Sequence, residues 1–337
     1  MTRDSSSQKS GILIVGECAK EIPVALVFEL LGLGRRLGSG GLGEVSVALL
    51  GNPAPEVFAA LIAGGAERIF VARTPAREHY ESDVWLAALA DILARTSPRL
   101  ILAGHTALGA DLAPRLAFRL KAAIATGCER LVLSGDKLHA TRPCFGHKAR
   151  EVLALKTHPS IVTVRARTNE AIERSSERSG EIVEVAIQAF DNRAIPRVTA
   201  RKYDDTGEGP RLESANVVVA GGRGLGGAEG FETLAKLAHI LGGAVGASRV
   251  ACDLGWCPRS WQVGLTGKTV TPSLYVAVGI SGASHHMAGC GNASAILAIN
   301  SDPEAPIFKE ARFGLVGDYR ELVPALVTEL ARHKTAA

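Results

Sequence analysis

The stretch 274-LYVAVGISGASHHMAG-289 decides the fold. Its first five residues are apolar and strand-forming. The run stops at Gly279 and gives way to Ser281, Gly282 and Ala283, then to His285 and His286. A short apolar run bounded by glycine reads as a buried strand, and small residues after it read as a tight turn into a helix. A second segment of the same kind, 217-VVVAGGRG-224, lies upstream, followed by helical spacing around Phe231–Leu241. The strand of the opening stretch is placed at Tyr275–Ile280, further strands are predicted at Ala295–Ile299 and 313-FGLVGD-318, and a last helix near Tyr319–His333. Strand alternating with helix predicts a parallel sheet flanked by helices.

Working outward, the same alternation fills the N-terminal part. Apolar runs at 11-GILIVG-16, 45-VSVALLG-51, 68-RIFVA-72 and 100-LILAG-104 are separated by helical segments such as Val24–Leu37 and Ser82–Arg95. From Cys128 to about Ile187 short β-rich pieces follow one another, 129-ERLVLSGDKLHATRP-143 and 160-SIVTVRA-166 among them. They read as hairpins appended to the first sheet, with Gly135-Asp136 as a turn. Residues 189–215 are polar. The expected division is an N-terminal α/β scaffold domain over 1–200, a linker over 201–215 and a C-terminal domain over 216–337. A length of 337 residues suits two domains.

Composition narrows the function classes. Hydrophobic residues make up 47% and aromatics 5%, with 37 glycines, which fits helices lying close on sheets. A formal charge of +4 is weak for this length, and no basic run interleaved with aromatics appears, so nucleic acid is not an expected partner. Six cysteines, Cys18, Cys128, Cys144, Cys252, Cys257 and Cys290, form no C-x-x-C pair. That excludes the common iron–sulfur and zinc spacings and leaves no metal site to expect. Scattered cysteines suggest reduced thiols and a cytoplasmic setting. Cys252 and Cys257 are close enough in sequence to join, but two core thiols are the favoured reading. The polar start MTRDSSSQKS is not expected to be a signal peptide, and no apolar run reaches spanning length, so no membrane insertion is expected.

Parallel sheets bind ligands at the C-terminal ends of their strands. The second-domain strands deliver Gly221 to Gly224, Ser281 to Ala283, Asn300, and Gly317 with Asp318. Small residues admit a phosphate to backbone N–H groups, Arg223 offers a cation, and Asn300 and Asp318 offer hydrogen bonds to a ribose or adenine. The long Gly- and Pro-containing stretch 246-GASRVACDLGWCPRSWQVGLTGKTVTP-272 should be functional loop with at most a short helical turn.

Taken together these strings resemble the α subunit of electron transfer flavoprotein: GGRG at 221–224, GASR at 246–249, QVGLTGK at 262–268, YVAVGISGA at 275–283, His286, AIN at 298–300, DPEAPIF at 302–308 and GLVGD at 314–318. The first domain matches more loosely, through 103-AGHTALGADLAPRLAFRL-120 and 142-RPCFG-146. The resemblance implies a Rossmann-like FAD-binding C-terminal domain and a heterodimer with a β subunit. It implies an electron carrier rather than an enzyme with its own substrate. Electrons would come from flavin dehydrogenases of the acyl-CoA dehydrogenase type, as in fatty acid β-oxidation, and pass to an acceptor such as a membrane quinone reductase.

Carried onto matching positions, the FAD contacts would be Arg223, Ser248, Arg249, Gln262, Val263, Gly264, Leu265, Thr266, Ser281, Gly282, Ala283, Ser284, His285, His286, Asn300 and Asp318. By the same resemblance the Thr266 hydroxyl lies near flavin N5, Arg249 and His286 lie near the ring, and Asn300 and Asp318 hold the adenosine end. Arg249 would favour the reduced, negatively charged flavin, and His286 would do so more weakly and with pH dependence near neutrality. Leu265 and His285 stand where the family often has Gln, and 290-CGNAS-294 replaces a charged turn. Two alternatives stay open. One is a bifurcating or NADH-linked member of the same family with a second flavin in the β subunit. The other is an NAD-binding Rossmann-type enzyme, against which the first βαβ unit lacks G-x-G-x-x-G.

Overall fold

The structure, a computed structural model, describes residues 11–19, 22–73, 80–145, 149–186 and 211–335. The chain divides into two compact units, the first running in the main to Arg201 and the second from Lys202 to the C-terminus. Most of the linker expected at 201–215 lies outside the described residues.

In the first unit the strands are β1 (Ile12–Val15), β2 (Cys18–Ala19), β3 (Ile22–Pro23), β4 (Val45–Leu50), β5 (Arg68–Ala72), β6 (Leu100–Gly104), β7 (Ala123–Cys128), β8 (Arg130–Ser134), β9 (Lys137–Cys144), β10 (Ala149–Leu155), β11 (Ser160–Val164) and β12 (Glu181–Val185). Seven of them form one parallel sheet in the order β12-β5-β4-β1-β6-β11-β7. Strands buried on both faces need apolar residues at every position. Accordingly Ile12 and Ile14 of β1 point into one core and Leu13 and Val15 into the other. Helices α1 (Ala25–Leu37) and α2 (Pro55–Ala63) cover the first face, and α3 (Ser82–Thr96) and α4 (Ala107–Leu120) the second.

The expectation of hairpins after Cys128 holds for β8, β9 and β10, which make a three-stranded antiparallel sheet with its first turn at Gly135 and Asp136. It fails for 160-SIVTVRA-166. Ser160–Val164 lies inside the parallel sheet between β6 and β7, fully buried. Five consecutive buried residues are the mark of a two-sided core strand rather than a solvated hairpin.

The second unit contains β13 (Val217–Gly221), α5 (Glu229–Ile240), β14 (Ala244–Ala247), α6 (Arg249–Asp253), β15 (Leu274–Val278), α7 (Ser284–Cys290), β16 (Ile296–Asn300), β17 (Phe313–Val316) and α8 (Tyr319–Thr335). Its five strands are all parallel, in the order β14-β13-β15-β16-β17. The chain starts at β13, steps to one side for β14, and returns across β13 to β15. The direction of winding therefore reverses between β13 and β15, and such a reversal opens a crevice at the carboxyl ends of the two strands. Val219, Val276 and Val278 pack under α5 and α8, while Val218, Tyr275 and Ala277 pack on the opposite side with Met287, Cys290 and Ile307. Among the described residues no helix is long and apolar enough to cross a membrane.

Candidate functional site

Two glycine loops meet at the β13/β15 crevice. The Gly222 N–H donates to the Val278 carbonyl at 2.9 Å, and the Gly224 N–H to the Gly279 carbonyl at 3.0 Å. A Cβ at Gly222 would run into the Gly279 carbonyl, and one at Gly279 would sit 2.9 Å from the Gly224 backbone. Gly279 also has φ +62°, a conformation that L side chains rarely adopt. Glycine is therefore what lets these backbones touch, and it leaves Arg223 exposed at the mouth of the crevice.

The carboxyl ends of the five strands place the predicted residues in one row. Along the sheet edge come Ser248 and Arg249 after β14, Arg223 after β13, Ser281 to His286 after β15, Asn300 ending β16, and Asp318 after β17. Ser248 caps α6, its hydroxyl accepting from the Ala251 N–H at 3.4 Å. Ser281, Ala283, Ser284 and His285 are exposed. Ala283 precedes α7 without a side-chain cap, so the first turn of that helix keeps its N–H groups clear of side-chain acceptors. Gly282 has φ +85° and packs against the Ile307 backbone.

The loop from Gln262 to Lys268 doubles back beside this row. The Val263 N–H donates to the Ala247 carbonyl at 2.9 Å, and the Lys268 N–H to the Gln262 carbonyl at 2.7 Å. Gly264, at φ +144°, lies against the His285 carbonyl. The exposed Leu265 has its N–H bonded to that same carbonyl at 2.7 Å, so this amide is not free to meet a ligand. Gln262 is buried, and its Nε2 donates to the Thr266 hydroxyl at 2.9 Å. A hydroxyl that accepts this bond keeps its own hydrogen free to donate. Arg249, Arg259, Gln262, Thr266, Gly267 and Lys268 together line a polar cavity of about 410 Å³. Sequence reasoning missed Arg259, Gly267 and Lys268 as members. The signal was present for Lys268, which closes the QVGLTGK string, and absent for Arg259.

Three further predicted side chains are tied into the fold. The Asn300 amide donates to the Ile280 carbonyl at 3.0 Å, and its oxygen accepts from the Asp302 N–H at 3.1 Å. It braces two strand-end loops. Asp318 accepts from the Arg320 N–H at 2.8 Å and pairs with its guanidinium at 3.6 Å, so it caps the start of α8. His286 is buried, with Nε2 2.9 Å from the Tyr275 hydroxyl. Its Nδ1 is also buried and closes no well-formed hydrogen bond. Burial takes its pKa down to about 4, against a small opposing pull from the Val263 backbone. The ring is therefore neutral at physiological pH, which corrects the expectation of titration near neutrality.

This set fits a dinucleotide. It offers a close-packed glycine crossing at the switch point, Arg223 beside that crossing, Arg249, Arg259 and Lys268 around the polar cavity, and a buried neutral imidazole beside the Gln262–Lys268 loop.

Comparison with known proteins agrees. Residues 12–189 match the electron transfer flavoprotein domain, and residues 211–291 match the electron transfer flavoprotein FAD-binding domain. Asn300 and Asp318 lie beyond the second match. The chain is 39% identical over 319 residues to the electron transfer flavoprotein subunit alpha of Bacillus subtilis strain 168, covering 94% of this chain and 96% of that one. The subunit alpha of Megasphaera elsdenii is 36% identical over 337 residues, with 98% and 99% covered. Protein FixB of Azotobacter vinelandii is 38% identical over 307 residues, with 89% and 85% covered. The second unit is thus a FAD-binding domain, and the chain belongs to the electron transfer flavoprotein α-subunit family.

Proposed function

We propose that this chain is the FAD-carrying subunit of a heterodimeric electron carrier, completed by an electron transfer flavoprotein β subunit. Its donors are flavin dehydrogenases of the acyl-CoA dehydrogenase type, and its acceptor is a membrane quinone reductase or a protein in that position. The observation that carries this reading is the row of five strand ends around one glycine crossing, which suits a single extended ligand. FAD, when bound, supplies the one- and two-electron redox chemistry.

In this reading Arg223 and the Ser281–His285 turn hold the diphosphate. Ser248 positions α6, so that Arg249 faces the flavin across the polar cavity. Thr266, its oxygen committed to Gln262 Nε2 at 2.9 Å, offers its hydroxyl hydrogen at the ring edge. His286 contributes as a neutral hydrogen-bonding group, kept uncharged by burial. Val263, Gly264 and Leu265 shape the loop, and Asn300 and Asp318 set the adenosine end by fixing the loops that line it.

The test is the purified heterodimer. Its absorption spectrum should be that of a flavin, with one flavin per heterodimer, bleached by an acyl-CoA dehydrogenase and its substrate. Two flavins per heterodimer, or reduction by NADH in place of the dehydrogenase, would move the protein to the bifurcating type. A nicotinamide spectrum without flavin would overturn the reading.

A further inference from the structure

The loop between Ser248 and Gln262 holds a feature that cofactor binding does not use. Cys252, on α6, and Cys257, five residues on, have their sulfurs 3.5 Å apart. The fold brings them together through a tight reversal. Gly255 takes φ +75°, its N–H donates to the Cys252 carbonyl at 3.0 Å, and the Trp256 N–H donates to the Ala251 carbonyl at 3.1 Å. Both thiols are free, Cys252 buried and Cys257 half-buried. A bond between them needs a separation of about 2.05 Å, so a movement of about 1.5 Å closes it.

What lies between them gives the pair a consequence. Asp253 receives the Arg249 Nε at 3.2 Å and the Arg259 guanidinium at 3.6 Å. Both arginines line the polar cavity. Drawing Cys252 and Cys257 together moves the residue that holds them both.

We propose that Cys252 and Cys257 form a reversible dithiol–disulfide site for low-molecular-weight disulfides, and that closing it resets the Arg249–Asp253–Arg259 cluster at the cofactor cavity. The more exposed Cys257 gives up its proton and attacks the external disulfide. One thiol leaves, and a mixed disulfide stays on Cys257. Cys252 loses its proton and attacks the Cys257 sulfur, releasing the second thiol. Two electrons pass from the pair to the external disulfide, and the two protons end on the two thiols released. Burial raises both thiols, Cys257 to about 12, so the pair is slow to react at neutral pH. The coupling to the cofactor rests on the proposed flavin role of Arg249; the thiol chemistry does not.

The test incubates the FAD-loaded heterodimer with oxidised glutathione at about pH 8.5, where more thiolate is present. The two cysteines share the tryptic peptide 250–259. That peptide is expected two hydrogens lighter, and back at its dithiol mass after dithiothreitol. Cys257→Ser and Cys252→Ser each abolish the bridge. A native peptide that stays at the dithiol mass, or keeps a glutathione adduct, under conditions that bridge the urea-unfolded chain overturns the site. FAD release from the bridged protein should differ about threefold or more from that of treated Cys252→Ser, the scale on which an exposed ion pair counts. Equal release from the two, with the bridge demonstrated, overturns the coupling. A heterodimer that holds no FAD even when reduced refutes the functional reading, a separate result.

Discussion

At the scale of the residue, His286 and Arg249 show how the surroundings rewrite a side chain's chemistry. A histidine whose pKa falls from 6.5 to about 4 on folding stays neutral in the folded chain while the unfolded chain takes up a proton between those values. Its contribution to stability is therefore complete above pH 6.5 and shrinks as pH falls to about 4, by about 3 kcal/mol. In denaturant titrations the stability gap between wild type and His286→Gln should narrow by about that amount from pH 6.5 to 4. A gap that is constant with pH would mean the ring is already charged. Arg249 is exposed and shares its charge with Asp253, so in the proposed site its pull on the flavin would sit at the low end for a charged hydrogen bond, about 1.5 kcal/mol. Arg249→Ala should lower the one-electron potential by about 65 mV, at about 59 mV per tenfold. A fall in FAD affinity with less than about 20 mV of shift would make it an anchor for phosphate instead. The sequence exposed which residue types gather here, because strand ends and small residues mark a parallel sheet's ligand edge. It did not expose that His286 would be buried against Tyr275, since burial depends on how α7 lies on the sheet and two adjacent histidines look alike in a string.

At the scale of the element, legibility followed the length and two-sidedness of each apolar run. Strands β1, β4, β5, β6, β13 and β15 fall within about two residues of the apolar runs that announced them, because each is a continuous apolar run closed by a polar or glycine residue. β14 went unread, its last two residues falling in the stretch taken as loop. Ala244–Ala247 is four small residues, two of them alanine and one glycine, with no β-branched pattern beyond Val245. β11 was read but misplaced, since which neighbours a strand joins is a long-range choice that a local pattern does not carry. The crossing of the β13 and β15 loops is the element-scale feature that the site depends on most. Gly222→Ala places a methyl against the Gly279 carbonyl, where both partners are backbone and neither yields cheaply. Overpacking of this kind costs about 1–3 kcal/mol. The variant should unfold at lower denaturant and lose FAD during gel filtration, while Gly227→Ala, where a Cβ meets nothing within 4 Å, should keep both properties. Full flavin retention by Gly222→Ala would mean that the crossing is looser than its hydrogen bonds indicate.

At the scale of the whole molecule, the question is what covers the apolar surface that each unit leaves open. In the second unit the edge strand β17 carries Phe313, Leu315 and Val316 at 59%, 41% and 58% exposure, with no further strand beside it among the described residues. A flat apolar edge is a template for pairing with another chain, and monomeric proteins blunt such edges with charge or proline. In the first unit Phe118 is more than four-fifths exposed, and Val152 of the antiparallel sheet is more than half exposed. An open apolar edge strand suits partner contact, and the proposed β subunit is the partner that would bury it. Anything that binds only the folded chain raises its stability by mass action, so removing the partner lowers it. The chain expressed alone should therefore scatter light strongly and retain little FAD, and co-expression with a β subunit should give a monodisperse, yellow complex. Phe313→Lys together with Val316→Lys, placed on the open edge, should reduce scattering by the isolated chain without restoring the flavin. If the unaccompanied wild-type chain runs as a stable, flavin-loaded monomer in light scattering, these surfaces belong to solvent and the need for a partner falls with them.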